Sequence, residues 1–409
     1  MKILLAHNFY QQPGGEDRAF ADEARMLSAY GHEVLRYCYH NDEIRDMHPI
    51  RTAINALWNG KTYRDLRMML EREAPAICHF HNTFPLMSPA ALHAAHDAGV
   101  PIVMTLHNYR LVCANALLLR KGRICEDCQG WKIPLPALLH GCYRNDRRAS
   151  AVTVLLMTSQ RHILKSLDLV NVFIALTEFS RDKFVEGGLP ADRIQVKPNF
   201  VHPDPGFSTK RSGDVLFVGR LSAEKGIGTL LDAWKLVPGD VTLRIAGAGA
   251  MGAAVQAASS RDPRIRWLGQ LTHDAVIHEM KSARLLVFPS LWYESLGLSL
   301  VEAFATGLPV LASDVGTMRQ LIDEGRTGFR FPAGDSAALA RAIESALAQP
   351  AAQVRMSREA RTEYESKYTQ AANYRRLEEI YEIARAHAAS SKPAVAPRPE
   401  YLVEEQRTA

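Results

Sequence analysis

Residues Asp214–Trp234 read DVLFVGRLSAEKGIGTLLDAW, and the order of properties along them decides the architecture. DVLFVGR is a short apolar run of the kind that forms a strand covered on both faces. GIGTLLDAW carries apolar residues at helical spacing, and a polar loop lies between the two. The same strand–loop–helix unit recurs along the chain. In the first half KILLAHN, HEVLRYCY, AICHFHN, PIVMTLHN and LVNVFIAL are strand-like, and EDRAFADEARMLSAYG is a helical pattern that Gly31 closes. In the second half DVLFVGR, VTLRIAGAG, RIRWLGQ, ARLLVFPS and PVLASDVG continue the scheme. Alternation of this kind predicts parallel sheets with helices on both faces.

There are two such series, separated by Lys197–Ser208, KPNFVHPDPGFS, whose prolines mark a linker. The expected organisation is an N-terminal domain over 1–196, a linker over 197–208 and a C-terminal domain over 209–368. A helix over 369–390 then crosses back to the first domain, and a Pro-rich, disordered tail follows over 391–409. Ligands in doubly wound sheets sit at the carboxyl ends of the strands, so the two domains are expected to face a common cleft.

The 409 residues, 47% hydrophobic and 23% charged, describe a globular protein of more than one domain. A formal charge of +5 favours anionic ligands weakly and is too small to imply nucleic acid. The opening MKILLAHNF reads as a strand and not as a secretory leader, and no run approaches the length of a membrane span. A cytoplasmic protein is expected, one that touches the cytoplasmic membrane face at most peripherally, with its six cysteines reduced.

The chemistry concentrates in two stretches. VGRLSAEKG places Gly219, Arg220 and Lys225 at the carboxyl end of a strand, where a rigid guanidinium fork and a mobile ammonium suit a diphosphate. Trp292–Pro309, WYESLGLSLVEAFATGLP, carries Glu294 and Glu302 in an otherwise apolar segment. On one continuous helix the two would lie roughly 80° apart and about 12 Å along the axis, which suits neither a metal pair nor a surface ladder. Gly297 points instead to Glu294 in a loop, a helix starting near Leu298, and Glu302 in its first turn, where the helix N-terminus favours phosphate. A third stretch is a decoy. GAGAMG holds Gly247, Gly249 and Gly252 in dinucleotide-fingerprint spacing, but on the second strand of its domain, and the next strand ends in Gln270 where an acidic ribose partner belongs. These glycines are expected to let a turn approach a ligand or a helix closely.

GRLSAEKG together with Glu294 and Glu302 resembles the C-terminal signature of the retaining GT-B glycosyltransferases of family 4, the glycosyl transferases group 1. The resemblance extends over almost the whole chain. KILLAHNFYQQPGGEDR is similar to the family's first strand and glycine loop, HFHNTFPLMSP and TLHNYRLVC to its next cleft elements, and KPNFVHP to its interdomain motif. It implies a UDP- or GDP-sugar donor and a saccharide acceptor. Arg220 and Lys225 would hold the diphosphate, Glu302 the ribose and Glu294 the transferred sugar. The backbone of Leu296, Gly297 and Leu298 would meet phosphate or sugar, and His107 would lie beside the anomeric centre. Gly14 and Gly15 would close over the donor, with Glu16, His81 and Asn82 on the acceptor side. No Asp-x-Asp occurs in the chain, so no catalytic metal is expected. The resemblance further implies sugar transfer to a lipid-linked acceptor in surface-polysaccharide assembly.

Two features lie outside that core. Cys113, Cys125, Cys128 and Cys142 suggest tetrahedral structural zinc, with four buried free thiols as the alternative, whereas Cys38 and Cys78 look like strand core. Arg144, Arg147 and Arg148 precede AVTVLLM, with Arg161, His162 and Lys165 beyond it. This is either a basic, lipid-facing surface or a core helix with charged ends. Competing functions on the same fold are a nucleotide-sugar epimerase, a glycogen-type phosphorylase and a non-catalytic sugar-nucleotide binder. No catalytic carboxylate–histidine set or cofactor-lysine site is recognisable for the first two. A binder would be expected to lack one of Arg220, Lys225 or Glu294.

Overall fold

The computed structural model describes residues 1–11, 14–211 and 214–391; most of the tail expected over 391–409 lies outside them. Each half of the chain builds one parallel six-stranded sheet. In the first the spatial order is Glu33–His40, Lys2–Phe9, Ile77–Asn82, Ile102–Leu106, Val172–Ala175, Ile194–Val196. In the second it is Ile265–Gly269, Leu243–Ala246, Val215–Val218, Leu285–Phe288, Val310–Ser313, Gly328–Phe331. The central strands are buried apolar runs because helices cover both of their faces.

Strand order positions the site. The second sheet reverses direction between Val215–Val218 and Leu285–Phe288, so the loops that leave these strands diverge and open a crevice. Those loops carry Gly219–Lys225 and Ser290–Leu298. The first sheet reverses between Lys2–Phe9 and Ile77–Asn82, whose loops carry Gly14–Glu16 and Thr83–Ser88. Both crevices face the space between the lobes.

The helical pattern near the C-terminus is realised as two helices, Pro350–Lys367 and Gln370–Ser391. At the break the Tyr368 carbonyl accepts from the Val201 amide at 3.1 Å, and the Thr369 hydroxyl accepts from the Ala372 amide at 3.3 Å. The last helix then buries Leu377, Ile380, Tyr381 and Ala384 against Ile3, Leu5, Ile77 and Ile174 of the first sheet. Each large side chain of that face contributes about 2 kcal/mol through the apolar surface it removes from water.

Two expectations need correction. Cys38 is exposed, because its strand Glu33–His40 is the edge of the sheet; Cys78 is buried as expected. Gly247 and Gly249 of GAGAMG approach a loop and not a helix. A Cβ on Gly247 would stand 2.0 Å from the Gly219 carbonyl oxygen, and one on Gly249 would stand 2.4 Å from that of Leu221. They let the turn after one strand lie directly on the loop that carries Arg220.

Gly247→Ala is therefore expected to cost about 2 kcal/mol or more, since φ is +143° and a carbonyl blocks the methyl. Gly228→Ala, inside a helix with its nearest neighbour 4.0 Å away, should stabilise by about 0.5–1 kcal/mol. Urea unfolding of both variants checks the contrast.

Candidate functional site

On the second lobe, Gly297 (φ +86°) ends the loop and the helix Leu298–Thr306 begins directly after it. Glu294 lies in the loop, as expected. Its Oε1 accepts from Lys225 Nζ at 2.7 Å, Ser290 Oγ at 2.7 Å and Trp292 Nε1 at 2.8 Å. The Lys225 ammonium also lies 5.5 Å from the Trp292 ring. Arg220 is not part of this cluster: it pairs with Glu224 at 2.9 Å and its side chain is 56% exposed. Glu302 is the fifth residue of its helix, in the second turn and not the first, and is buried. Burial pushes its carboxyl up, against the pull of Arg18 and His273.

Arg18 comes from the other lobe. It sits on the helix Gly15–Ala29, and its Nη1 donates to Glu302 Oε1 at 2.5 Å while its guanidinium meets the His273 ring at 3.0 Å. Gly15 lies beside it, close enough that a Cβ there would touch Leu298 at 3.3 Å. A second bridge joins the Ser295 hydroxyl to the His107 carbonyl at 2.7 Å. The glycine loop, His107 and the Glu294–Glu302 segment are thus brought together, whereas a Cβ on Gly14 would meet nothing within 4 Å and its amide donates to Asp17 Oδ2 at 2.9 Å.

Behind His107 lies a buried polar chain. Lys197 Nζ donates to Glu23 Oε2 at 2.9 Å and to Asn373 Oδ1 at 3.0 Å. Glu23 Oε1 meets His79 Nδ1 at 3.0 Å and His81 Nε2 at 3.1 Å. His81 Nδ1 meets His107 Nε2 at 2.9 Å. Burial alone would raise the Glu23 carboxyl, but Lys197, His79 and His81 hold it well below the usual range. Ionised Glu23 can only accept, so His81 Nε2 carries the proton it donates. Burial pushes His81 down to about 4 and His107 well below its usual value, so both rings are neutral. His81 Nδ1 is then an acceptor, His107 Nε2 donates to it, and His107 Nδ1 is left with its lone pair. Glu23, His79 and His81 have the spacing of a metal-binding trio, but the Lys197 ammonium already supplies the positive charge there.

His81 therefore spends both ring nitrogens on the fold. So does Asn82 with its amide, which donates to the Asn8 carbonyl at 2.7 Å and accepts from the Phe84 amide at 3.0 Å. Both still line a pocket of about 70 Å³ that His107, Glu16 and Arg110 also face. Glu16 Oε2 accepts from Tyr10 at 3.2 Å and from Asn108 at 3.1 Å, and Oε1 is buried without a partner among the described residues. Arg18, Glu23, Lys197, His273 and Arg110 were not picked out from the sequence. Only Glu23 carried a signal there, as a charge on the apolar stripe of its helix.

The cysteine cluster does not have zinc geometry. Among the described residues no three of its sulfurs lie within 4.8 Å of one another, and the Cys113 thiol donates to Asn115 Oδ1 at 3.0 Å. The residues do not fit the metal. The basic segment forms the helix Arg147–Thr158, which buries Val154 and Leu156 but leaves Leu155 50% exposed. Leu139 and Ile163 nearby in sequence are 67% and 68% exposed. Among the described residues no helix is long and apolar enough to cross a membrane.

Comparison with known proteins places this geometry. Residues 13–205 match the family model "Glycosyltransferase Family 4" and residues 203–363 match "Glycosyl transferases group 1". A phosphatidyl-myo-inositol mannosyltransferase of Mycobacterium leprae is 36% identical over 188 residues, 42% of this chain and 49% of that protein. The chain thus spans about half the length of that relative. An α-D-kanosaminyltransferase of Streptomyces kanamyceticus is 26% identical over 69% of this chain and 70% of its own length. An amylovoran biosynthesis glycosyltransferase of Erwinia amylovora is 28% identical over 55% of this chain and 61% of its own. Among solved structures, Anabaena HepE in complex with UDP superimposes with a TM-score of 0.66 at 18% identity, covering 93% of this chain and 100% of that one. Sucrose-phosphate synthase of Thermosynechococcus elongatus gives 0.69, also at 18% identity, covering 94% and 99%. At that identity the likeness is one of fold.

Glu16 yields a prediction with a definite sign. Burial pushes its carboxyl up to about 8, whereas an unfolded glutamate ionises near about 4.3. The unfolded chain releases the proton first, so Glu16 lowers stability progressively as pH rises from about 4.5 to about 8, and by a constant amount above that. Glu16→Gln removes the penalty. Its melting temperature relative to wild type should climb across that window and level off beyond it; parallel curves would show that the carboxyl is not buried in this way.

Proposed function

The chain belongs to the group 1 and family 4 glycosyltransferases, and from that premise we propose that it moves a sugar from a nucleoside-diphosphate donor to a saccharide acceptor, with retention of anomeric configuration. The observation that carries this reading is the meeting of Lys225–Glu294, buried Glu302 and His107 across one cleft at the start of the helix Leu298–Thr306. UDP-glucose bound in the HepE structure supports a uridine donor; a guanosine donor is the alternative. In this reading residues 1–196 serve the acceptor and 209–368 the donor.

Cleaving a glycosyl–phosphate bond builds negative charge on phosphate and positive charge on the sugar ring. Lys225 and the amides from Leu296 to Leu298 stabilise the first, and Arg220 joins them by leaving Glu224. Glu294 holds sugar hydroxyls with its second oxygen, and Glu302 takes the ribose once Arg18 yields. His107, neutral and with Nδ1 accepting, receives a sugar hydroxyl and presents no positive charge to an oxocarbenium-like ring. The acceptor attacks on the face the phosphate leaves, and that phosphate oxygen takes the acceptor's proton. No step calls on a metal.

For the acceptor we favour a lipid-linked saccharide in surface-polysaccharide assembly. The relatives in amylovoran and phosphatidyl-inositol glycan synthesis support it. So do exposed Leu139, Leu155 and Ile163, near in sequence to exposed Arg144, Arg147 and Arg148, since apolar and basic side chains together suit peripheral contact with an anionic leaflet.

Glu302→Ala is expected to weaken nucleoside-diphosphate binding about tenfold or more by calorimetry. Lys225→Ala should mainly lower kcat, because leaving-group charge grows only toward the transition state. A Lys225→Ala change confined to KM would refute its role. For the membrane, flotation with anionic liposomes should fall at high salt and in a variant with Arg144, Arg147 and Arg148 changed to Ser. Equal flotation of all samples, with transfer to a soluble acceptor, would remove the lipid-linked reading and leave the transferase intact.

A further inference from the structure

The cavity behind His107 contains a charge that the protein leaves unanswered. Arg110 lies on the short turn Tyr109–Leu111, just after the strand that delivers His107. Its guanidinium stacks on the Phe84 ring at 4.4 Å, with Tyr143 5.8 Å away. Stacking occupies the face of the group and leaves its in-plane N–H donors free to point elsewhere. Two of them, Nε and Nη1, are shielded from water and have no partner among the described residues. Among the described residues no carboxylate comes within ion-pair distance of it. The one acid in the same cavity, Glu16, spends Oε2 on Tyr10 and Asn108 and leaves Oε1 unpartnered too.

The groups that face this cavity decide its sign. Glu16 stays protonated up to about pH 8 and therefore carries its proton on Oε1, the oxygen not already accepting. His81 and His107 are neutral. Arg110 is always charged. Near neutral pH the chamber thus has one net positive charge with two buried donors and one carboxyl hydroxyl. Holding two guanidinium donors away from water without an acceptor is unfavourable, so a site built this way is completed by its ligand.

We propose that Arg110 seats an anionic group of the acceptor sugar, a carboxylate or a phosphate, while Glu16 takes a neighbouring hydroxyl. The word acceptor rests on the transferase reading; the anion site itself does not. A carboxylate or phosphate accepts from both donors and answers their charge, whereas the hydroxyl oxygens of a neutral sugar can accept from them but leave the charge uncompensated.

The test is binding of D-glucuronate, D-glucose 6-phosphate and D-glucose to the full chain, followed by saturation-transfer NMR and calorimetry. Saturating UDP or GDP, whichever binds, keeps the sugar phosphate out of the donor's diphosphate site. At least one of the anionic sugars is expected to bind about tenfold or more tightly than glucose, and the pair distinguishes a carboxylate site from a phosphate site. Arg110→Gln should abolish the preference while nucleotide binding stays unchanged and the melting temperature does not fall. Should that variant not fold, Arg110→Lys keeps the charge without the fork and should reduce the preference about threefold or more. No preference in the wild type, or a preference that survives Arg110→Gln, overturns the proposal. If neither nucleotide binds, the transferase reading fails, and the same comparison in nucleotide-free protein still decides the anion site.

Discussion

The structure hangs on one buried carboxylate. Glu23, on the first helix, receives Lys197 from the start of the interdomain connection and two histidines from the strand Ile77–Asn82. Lys197 continues to Asn373 on the last helix, and His79 to Tyr381 on the same helix at 2.9 Å. Removing any one partner leaves a charge or a polar atom in a dry interior, a loss of several kcal/mol by the usual cost of stranding a buried ion. The network joins the lobe connection, the crossing helix and the strand behind the cleft. Because Glu23 is ionised, its influence reaches His107 through His81 and selects which nitrogen of His107 faces the ligand.

A complementary principle operates on the other lobe. Glu294 is a loop residue, but three donors on one oxygen leave it little freedom. The loop is anchored further by the Thr317 hydroxyl, which donates to the Glu294 carbonyl at 2.6 Å, and by Thr177 of the first lobe, which donates to that of Ser295 at 3.3 Å. A glycine in the left-handed region then starts the helix directly after the anchored loop. Preorganisation here comes from side chains locking a loop and not from the loop's own secondary structure.

Much of this was legible in the sequence, for a physical reason. Strands covered on both faces must be almost wholly apolar, and their helices must carry one apolar stripe, so KILLAHN or ARLLVFPS declares its element without reference to the rest of the chain. The loop–helix division around Gly297 was readable because only glycine makes that turn cheaply. What failed to show in advance depends on partners remote in sequence. Cys38 reads as core until its strand is known to be the edge. Ile194–Val196 and Gly328–Phe331 are too short to carry a period. Arg18 and Lys197 look like ordinary solvated charges because their partners lie 284 and 174 positions away. The four cysteines have plausible spacing in the chain and come near one another in the fold, but among the described residues no three of their sulfurs lie within 4.8 Å of one another.

Arg18 also changes what an affinity measurement on this protein means. Its guanidinium occupies Glu302, so under the proposed donor reading a ribose hydroxyl competes with a tethered group that never diffuses away. The observed dissociation constant is the intrinsic one divided by the fraction of molecules whose bridge is open. Two enzymes with identical donor contacts would then report different affinities if only this inter-lobe pair differed. Ionic strength enters twice and with opposite signs: salt screens the phosphate contacts and weakens binding, and it loosens the partly exposed Arg18 and releases the site. A flat salt dependence would therefore reflect two cancelling effects and not an absence of electrostatics.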